Sequence, residues 1–310
     1  MSTTALSETA STTPPTSSGE QPDVASSELR RGDRSPRRAD AARPADPSGR
    51  RQTFGRAVHA EWVKVRSLRS TWITSFIAIG ITVLLGAGIA IGYASSPEFA
   101  DRAADAIISG NQFGQIVVAV LGALIITGEY SSGQIRSSLA AVPHRGRLLV
   151  AKAIVVGVLA FVIGALSTLL AWAASAPFMN GHAASLADPE YLGFVWGTGL
   201  SFAGIALMSL GLGFLLRSTA GAITLAMTLM FVIDLPISLM AMKWDWAARL
   251  QGFEPLQTAV AVYDPFQHMV TWGQADSIYF MQQWQAALVF GAWAIVPLAL
   301  GWLLFARRDA

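Results

Sequence analysis

The sequence predicts an all-α, polytopic membrane protein with six transmembrane helices, and three observations predict it. Hydrophobic residues fill 53% of the 310 positions and charged residues only 14%, against roughly 25% charged in an ordinary soluble domain. Six runs approach the ~20 apolar residues that a bilayer-spanning helix needs: residues 72–93, 112–127, 150–172, 194–216, 220–242 and 285–305. The second is short and is extended naturally by starting near Ala106. Lys and Arg then sort by side. Arg50, Arg51, Arg56, Lys64, Arg66, Arg69, Arg136, Arg145, Arg147, Lys152, Arg217, Arg307 and Arg308 fall on one side, and only Arg102, Lys243 and Arg249 on the other. Positive charge marks the cytosolic side, so both termini are expected in the cytosol, as an even number of spans requires.

The formal net charge of +2 is therefore a topology signal, and no nucleic-acid partner is expected. The absence of cysteine excludes disulfides, thiol catalysis and thiolate metal sites. His59, His144, His182 and His268 are scattered without metal-ligand spacing. No H-E-x-x-H, paired catalytic Asp or Ser/His set lies in the spans, which argues against an intramembrane enzyme.

Taken in order, residues 1–52 are rich in Ser, Thr, Pro, Ala, Arg and Asp with almost no large apolar side chains. Such a segment cannot bury enough surface to offset the entropy of ordering and is expected to be a disordered cytosolic tail. It lacks the apolar run of a cleaved secretory signal. Residues 53–310 form the transmembrane domain. Phe54, Val58, Trp62, Val65, Leu68 and Trp72 share one helical stripe, with Arg56, His59, Lys64 and Arg66 mostly turned away. Residues 54–71 thus read as an interfacial amphipathic helix leading into span one. Gly88-x-x-x-Gly92 and Gly197-x-x-x-Ser201 permit close helix approach, a weakly diagnostic signal.

Between spans two and three lies a polar, basic insert. Ser131 followed by Gln134 fits a capping box, and Ile135, Leu139 and Val142 then fall on one face until Pro143 ends the helix. The predicted helix, 131–142, has an apolar face that needs a cover: lipid, the neighbouring spans or a partner. The outer loop 243–284 carries Trp244, Trp246, Tyr263, Phe266, Trp272, Tyr279 and Trp284. These prefer the headgroup zone, while Pro255 and Pro265 argue for short or re-entrant helices. Asp234, two residues before Pro236, is the acid placed well inside a span. It reads either as a cavity-lining group or as an outer-headgroup residue bonded to backbone freed by the proline. Asn111, Gln112 and Gln115 at the outer end of span two are candidates for a polar exit.

Glu61-Trp62-x-Lys64-x-Arg66-Ser67-x-Arg69-Ser70-Thr71-Trp72 and Thr127-Gly128-Glu129-Tyr130-Ser131-Ser132-Gly133-Gln134-Ile135-Arg136 closely resemble bacterial permease subunits of ATP-binding-cassette (ABC) transporters, of the type-2 membrane family, which consists largely of exporters. The resemblance covers about residues 54–310. It implies a multi-pass plasma-membrane permease. It makes residues 54–71, with Trp62, Lys64, Arg66 and Arg69, a connecting helix. Residues 131–142 become a coupling helix that contacts a separate ABC ATPase subunit through Glu129, Tyr130, Ser131, Gln134, Ile135, Arg136 and Leu139. Glu129 reads as a coupling residue or as a carboxylate paired with Arg136 or another cytosolic base. On that reading Ile135→Asp should uncouple the ATPase without unfolding the membrane domain.

The partners implied are the ATPase, a second permease copy or homologue, the lipid membrane and an unknown exported substrate. The chain's lysines are Lys64, Lys152 and Lys243, none in a G-x-x-x-x-G-K-[ST] phosphate loop. No cofactor is therefore expected here, and ATP and Mg²⁺ belong on the partner. The alternative is an ABC-associated regulator or sensor without net transport; a passive channel would leave the insert without a partner.

Overall fold

The computed structural model describes residues 53–141, 145–266 and 282–307. The tail 1–52, the Val142-Pro143-His144 helix stop, residues 267–281 of the outer loop and the terminal residues 308–310 lie outside the described residues. Among the described residues all regular structure is helical, and six helical segments are long and apolar enough to cross a membrane.

Helix α1 (Phe54–Ser67) and α2 (Arg69–Ala94) are separated by one extended residue, Leu68 at φ −81°, ψ 120°. The break ends α1 four residues before the expected limit of 71. Two local bonds hold it: the Trp72 indole donates to the Arg66 carbonyl at 2.8 Å, and Ser67 Oγ donates to the Lys64 carbonyl at 2.8 Å. A 3₁₀ segment, Asp105–Gly110, runs into α3 (Asn111–Ser131), so span two starts earlier and ends later than 112–127. Next come α4 (Gln134–Ala141) and α5 (Arg145–Ser175).

Helix α6 (Pro189–Leu216) opens with proline at its first position, where no amide is lost to the ladder, and Asp188 caps it by accepting from the Glu190 amide. Span five is broken into α7 (Thr219–Met227), a π-turn (Thr228–Val232) and α8 (Asp234–Ala241). The outer loop contributes α9 (Asp245–Gln251) and α10 (Pro255–Tyr263), the short helices its prolines call for. Helix α11 (Gln283–Arg307) closes the chain with Pro297 inside it.

The bundle is organised around α6, 72% of whose most apolar window is buried, and which packs on α3, α5, α10 and α11. Its glycines allow this. A Cβ at Gly211 would stand 2.5 Å from Pro297 backbone in α11, and one at Gly197 would stand 2.5 Å from the Val262 carbonyl. The expected close approach at Gly197 is therefore to α10, which lies against α6 and α11. At Gly88 and Gly92, in contrast, an added Cβ would meet nothing within 4 Å among the described residues. One buried cluster (Val65, Ile126, Ile135, Leu148, Phe214, Phe305) joins α1, α4 and the adjacent ends of α3, α5, α6 and α11. A second, with Ala94, Ile107, Met179, Tyr191 and Tyr263, lies at the opposite end.

Candidate functional site

The inner face of α1 is not the predicted stripe. Ala57, Glu61 and Val65 are buried, while Phe54, Trp62 and Trp72 stay exposed. Val58, Lys64 and Leu68 are half-buried and Arg56, His59, Arg66 and Arg69 exposed. The stripe therefore divides: its aliphatic members pack inward and its rings remain available to lipid headgroups, as aromatic residues prefer. Lys64, expected to turn away, turns inward because carboxylates are there to receive it.

Those carboxylates are Glu61 and Glu129, each 3% exposed, and with Lys152, fully buried at 0%, they form a charge cluster. Lys152 Nζ donates to Glu61 Oε2 and to Glu129 Oε1, both at 2.5 Å. Lys64 Nζ donates to Glu129 Oε1 at 2.8 Å, to Glu61 Oε1 at 3.2 Å and to Ser138 Oγ at 2.9 Å. Ser138 Oγ lies 3.4 Å from Glu129 Oε2 and 3.1 Å from the Gln134 carbonyl. Two acids and two ammonium groups thus balance in a largely buried junction where α1, α3, α4 and α5 meet. Burial alone would lower the Lys64 pKa, but the hydrogen bond and charge of Glu129, followed by Glu61, hold it above the usual lysine value.

Glu129 is therefore paired with Lys64 and Lys152, not with Arg136, which is exposed. Glu61, Ser138 and Lys152 were not singled out as site residues. The available signal was Lys152 itself, a lysine inside the apolar run of span three, where an unpaired charge is costly. Its neighbour in sequence gives no hint of its partners, which come from α1 and α3.

The predicted capping box is absent. Residues 128–131 continue α3, and Ser131 and Ser132 donate to the Gly128 carbonyl at 3.1 and 2.7 Å, closing that helix instead of opening the next. Gly133, at φ +70°, makes the turn, a backbone state that glycine enters without steric cost. Helix α4 then begins at Gln134, not 131. Its apolar face is covered within the chain: Ile135 is 4% exposed in the core cluster and Leu139 packs beside it. Ile135→Asp would bury a charge there, so the expectation that it spares the fold is withdrawn. The residues that α4 leaves outward are Gln134, Arg136, Ser137 and Ala140. Tyr130 lies beneath the Arg217 guanidinium at 5.2 Å, tying the end of α3 to the turn after α6.

The remaining polar candidates separate. Gln115 is fully buried and donates to Ser201 Oγ at 3.0 Å; Asn111, also fully buried, donates to Thr198 Oγ1 at 2.7 Å. Both serve the α3–α6 interface and neither opens to a path within the chain, whereas Gln112 is exposed. Asp234 follows the π-turn and accepts from Gln257 Nε2 of α10 at 3.2 Å. Beside it, Glu254 is buried with its carboxyl against that of Asp234. Burial, followed by Asp234, pushes its pKa up to about 8.

Residues 58–310 match the family model described as ABC-2 family transporter protein. The chain belongs to the ABC-2 family. It is an ABC-type membrane permease and a multi-pass membrane protein. Among curated proteins, none matches it. In this ABC-2 permease the two motif segments, far apart in sequence, supply Glu61, Lys64 and Glu129 to one junction, with Lys152 as the fourth member.

Proposed function

We propose that this chain is the membrane-spanning subunit of an ATP-driven exporter in the plasma membrane. Both termini lie in the cytosol, two copies enclose the pathway, and α1 and α4 dock a separate ATPase subunit that binds ATP and Mg²⁺. The observation that carries this reading is the buried charge junction. It fixes α4, through Ser138, to α1 and to the ends of α3 and α5. A push on the outward residues of α4 is then transmitted to two spans and not absorbed by a loose loop. Glu129 and Lys64 act as positioning residues in this scheme, and Gln134, Arg136 and Ser137 form the docking surface.

A second copy is supported by span five. Only 11% of its most apolar window is buried, and Val232, Leu235 and Leu239 are exposed on it. With Asp234 at its break, this least-covered span supplies a partly polar wall for a pathway shared between two subunits.

The test is co-purification of the tagged chain from its native membrane in mild detergent, with Arg136→Glu as the variant, since Arg136 is exposed and outside the core. The reading expects a stoichiometric P-loop ATPase with the wild type, lost in Arg136→Glu while the melting temperature holds. An ATPase that never appears would leave the family fold without the exporter role. ATP-driven flux in reconstituted vesicles separates transport from a purely regulatory subunit.

A further inference from the structure

Between the first turns of α5 and the last turns of α11 lies a groove of about 380 Å³ lined by Gly146, Leu149, Val150, Leu298, Ala299 and Trp302. Its lining is wholly apolar, and its volume falls within the range of small-molecule sites. Gly146 makes the room, since a Cβ there would stand 3.3 Å from the Trp302 indole nitrogen. Val150 and Trp302 are exposed, so the groove opens sideways towards the hydrocarbon.

Two bases stand beside it in sequence. Arg147 is exposed and has no ion-pair partner among the described residues, and Arg145 stands over the Phe305 ring at 5.7 Å while donating to the Phe305 carbonyl at 2.8 Å. Both sit on the first turn of α5, a 31-residue helix whose N-terminal partial positive charge adds to theirs. An apolar slot that opens to lipid beside two cations has the chemistry of one amphiphile, an acyl chain with an anionic headgroup.

We propose that the α5–α11 groove is a binding site for an anionic phospholipid, its acyl chain along Leu149, Leu298 and Ala299 and its phosphate at Arg147. Assigning it to the cytosolic leaflet rests on the topology under Proposed function; the binding itself does not, so the two fail separately. A bound lipid there would wedge α11 against α5 a few residues from Lys152, linking membrane composition to the charge junction.

The experiment is native mass spectrometry of the purified full-length chain in mild detergent, titrated with phosphatidylglycerol or phosphatidylcholine of the same acyl chains, or with glycerol 3-phosphate alone. The wild type should retain one phosphatidylglycerol at concentrations where phosphatidylcholine has dissociated. Arg147→Gln should weaken phosphatidylglycerol about fivefold, the share of one basic residue at an anionic lipid surface, and leave phosphatidylcholine unchanged. Ala299→Phe, at an exposed position where added bulk fills the groove without overpacking the core, should weaken both lipids. Equal retention of the two lipids by the wild type would overturn the proposal. So would an unaltered preference in Arg147→Gln, or retention of glycerol 3-phosphate without its tails.

Discussion

Replacing Lys152 with methionine removes one of two cations from a site holding two carboxylates. The side chain is fully buried and makes two contacts of 2.5 Å, so solvent does not replace what is lost. Deleting one partner of a buried ion pair costs about 3–5 kcal/mol, because the remaining charge stays buried and uncompensated. At about 2–4 °C per kcal/mol for a domain of this size, Lys152→Met should lower the melting temperature in detergent by roughly 6–20 °C. The control is the double variant Lys152→Met with Glu61→Gln. It leaves Lys64 facing Glu129 at 2.8 Å in a neutral pair and should recover part of the loss. Pairs in direct contact show coupling of about 0.5–3 kcal/mol. Thermal unfolding followed by tryptophan fluorescence reads the wild type, the two single variants and the double variant. A single variant that melts with the wild type, or a double variant that is lower by the sum of the singles, would refute the claim that these charges form one balanced unit.

Three further outcomes are expected. Glu254 keeps its proton up to about pH 8 when folded, whereas a free glutamate ionises near 4.3. Folding then takes up a proton in that window, and stability falls as pH rises through it. Glu254→Gln should therefore gain in melting temperature over the wild type from pH 5 to pH 8, and parallel curves would exclude the raised carboxyl. Gly122→Ala would place a Cβ 2.3 Å from the Ala206 carbonyl oxygen, on backbone that cannot turn aside. It should cost about 1–3 kcal/mol by separating α3 from α6, measured as a lower melting temperature. Gln115→Leu removes the bond to Ser201 in a buried interface and should destabilise by about 1–2 kcal/mol without changing ATP-driven flux; a flux defect at unchanged stability would return Gln115 to the pathway.

The spans were legible because hydropathy is local: each helix announces itself by its own composition, and the residues from Val150 to Trp172 need no partner to be read as apolar. Boundaries failed where a tertiary contact or a single backbone angle decides them. Ser131 and Gln134 have the spacing of a cap, but Gly133 in the left-handed region puts the turn after Ser132 and leaves Ser131 to close α3. The site was half legible. Both motif segments meet at the charge junction, and Lys64 and Glu129 stand among the residues named from sequence. From sequence Lys152 reads as one of the topology-setting bases, since a lysine at the edge of a span looks the same whether it reaches water or a buried pair. Only the packing of α1 against α5 distinguishes the two. Of the apolar stripe of α4, Ile135 and Leu139 pack into the chain's own core, one of the three covers the pattern allows, and Val142 lies outside the described residues.

The central claim is that the outward side of α4 meets a separate ATPase. A photo-crosslinking residue in place of Ser137, exposed and outside the core, tests it in the native membrane, with one in place of Leu239, exposed on α8, as the control. The account predicts a crosslinked P-loop ATPase from position 137 and none from position 239. No adduct at position 137 while the transporter is active, or equal adducts from both positions, would contradict it.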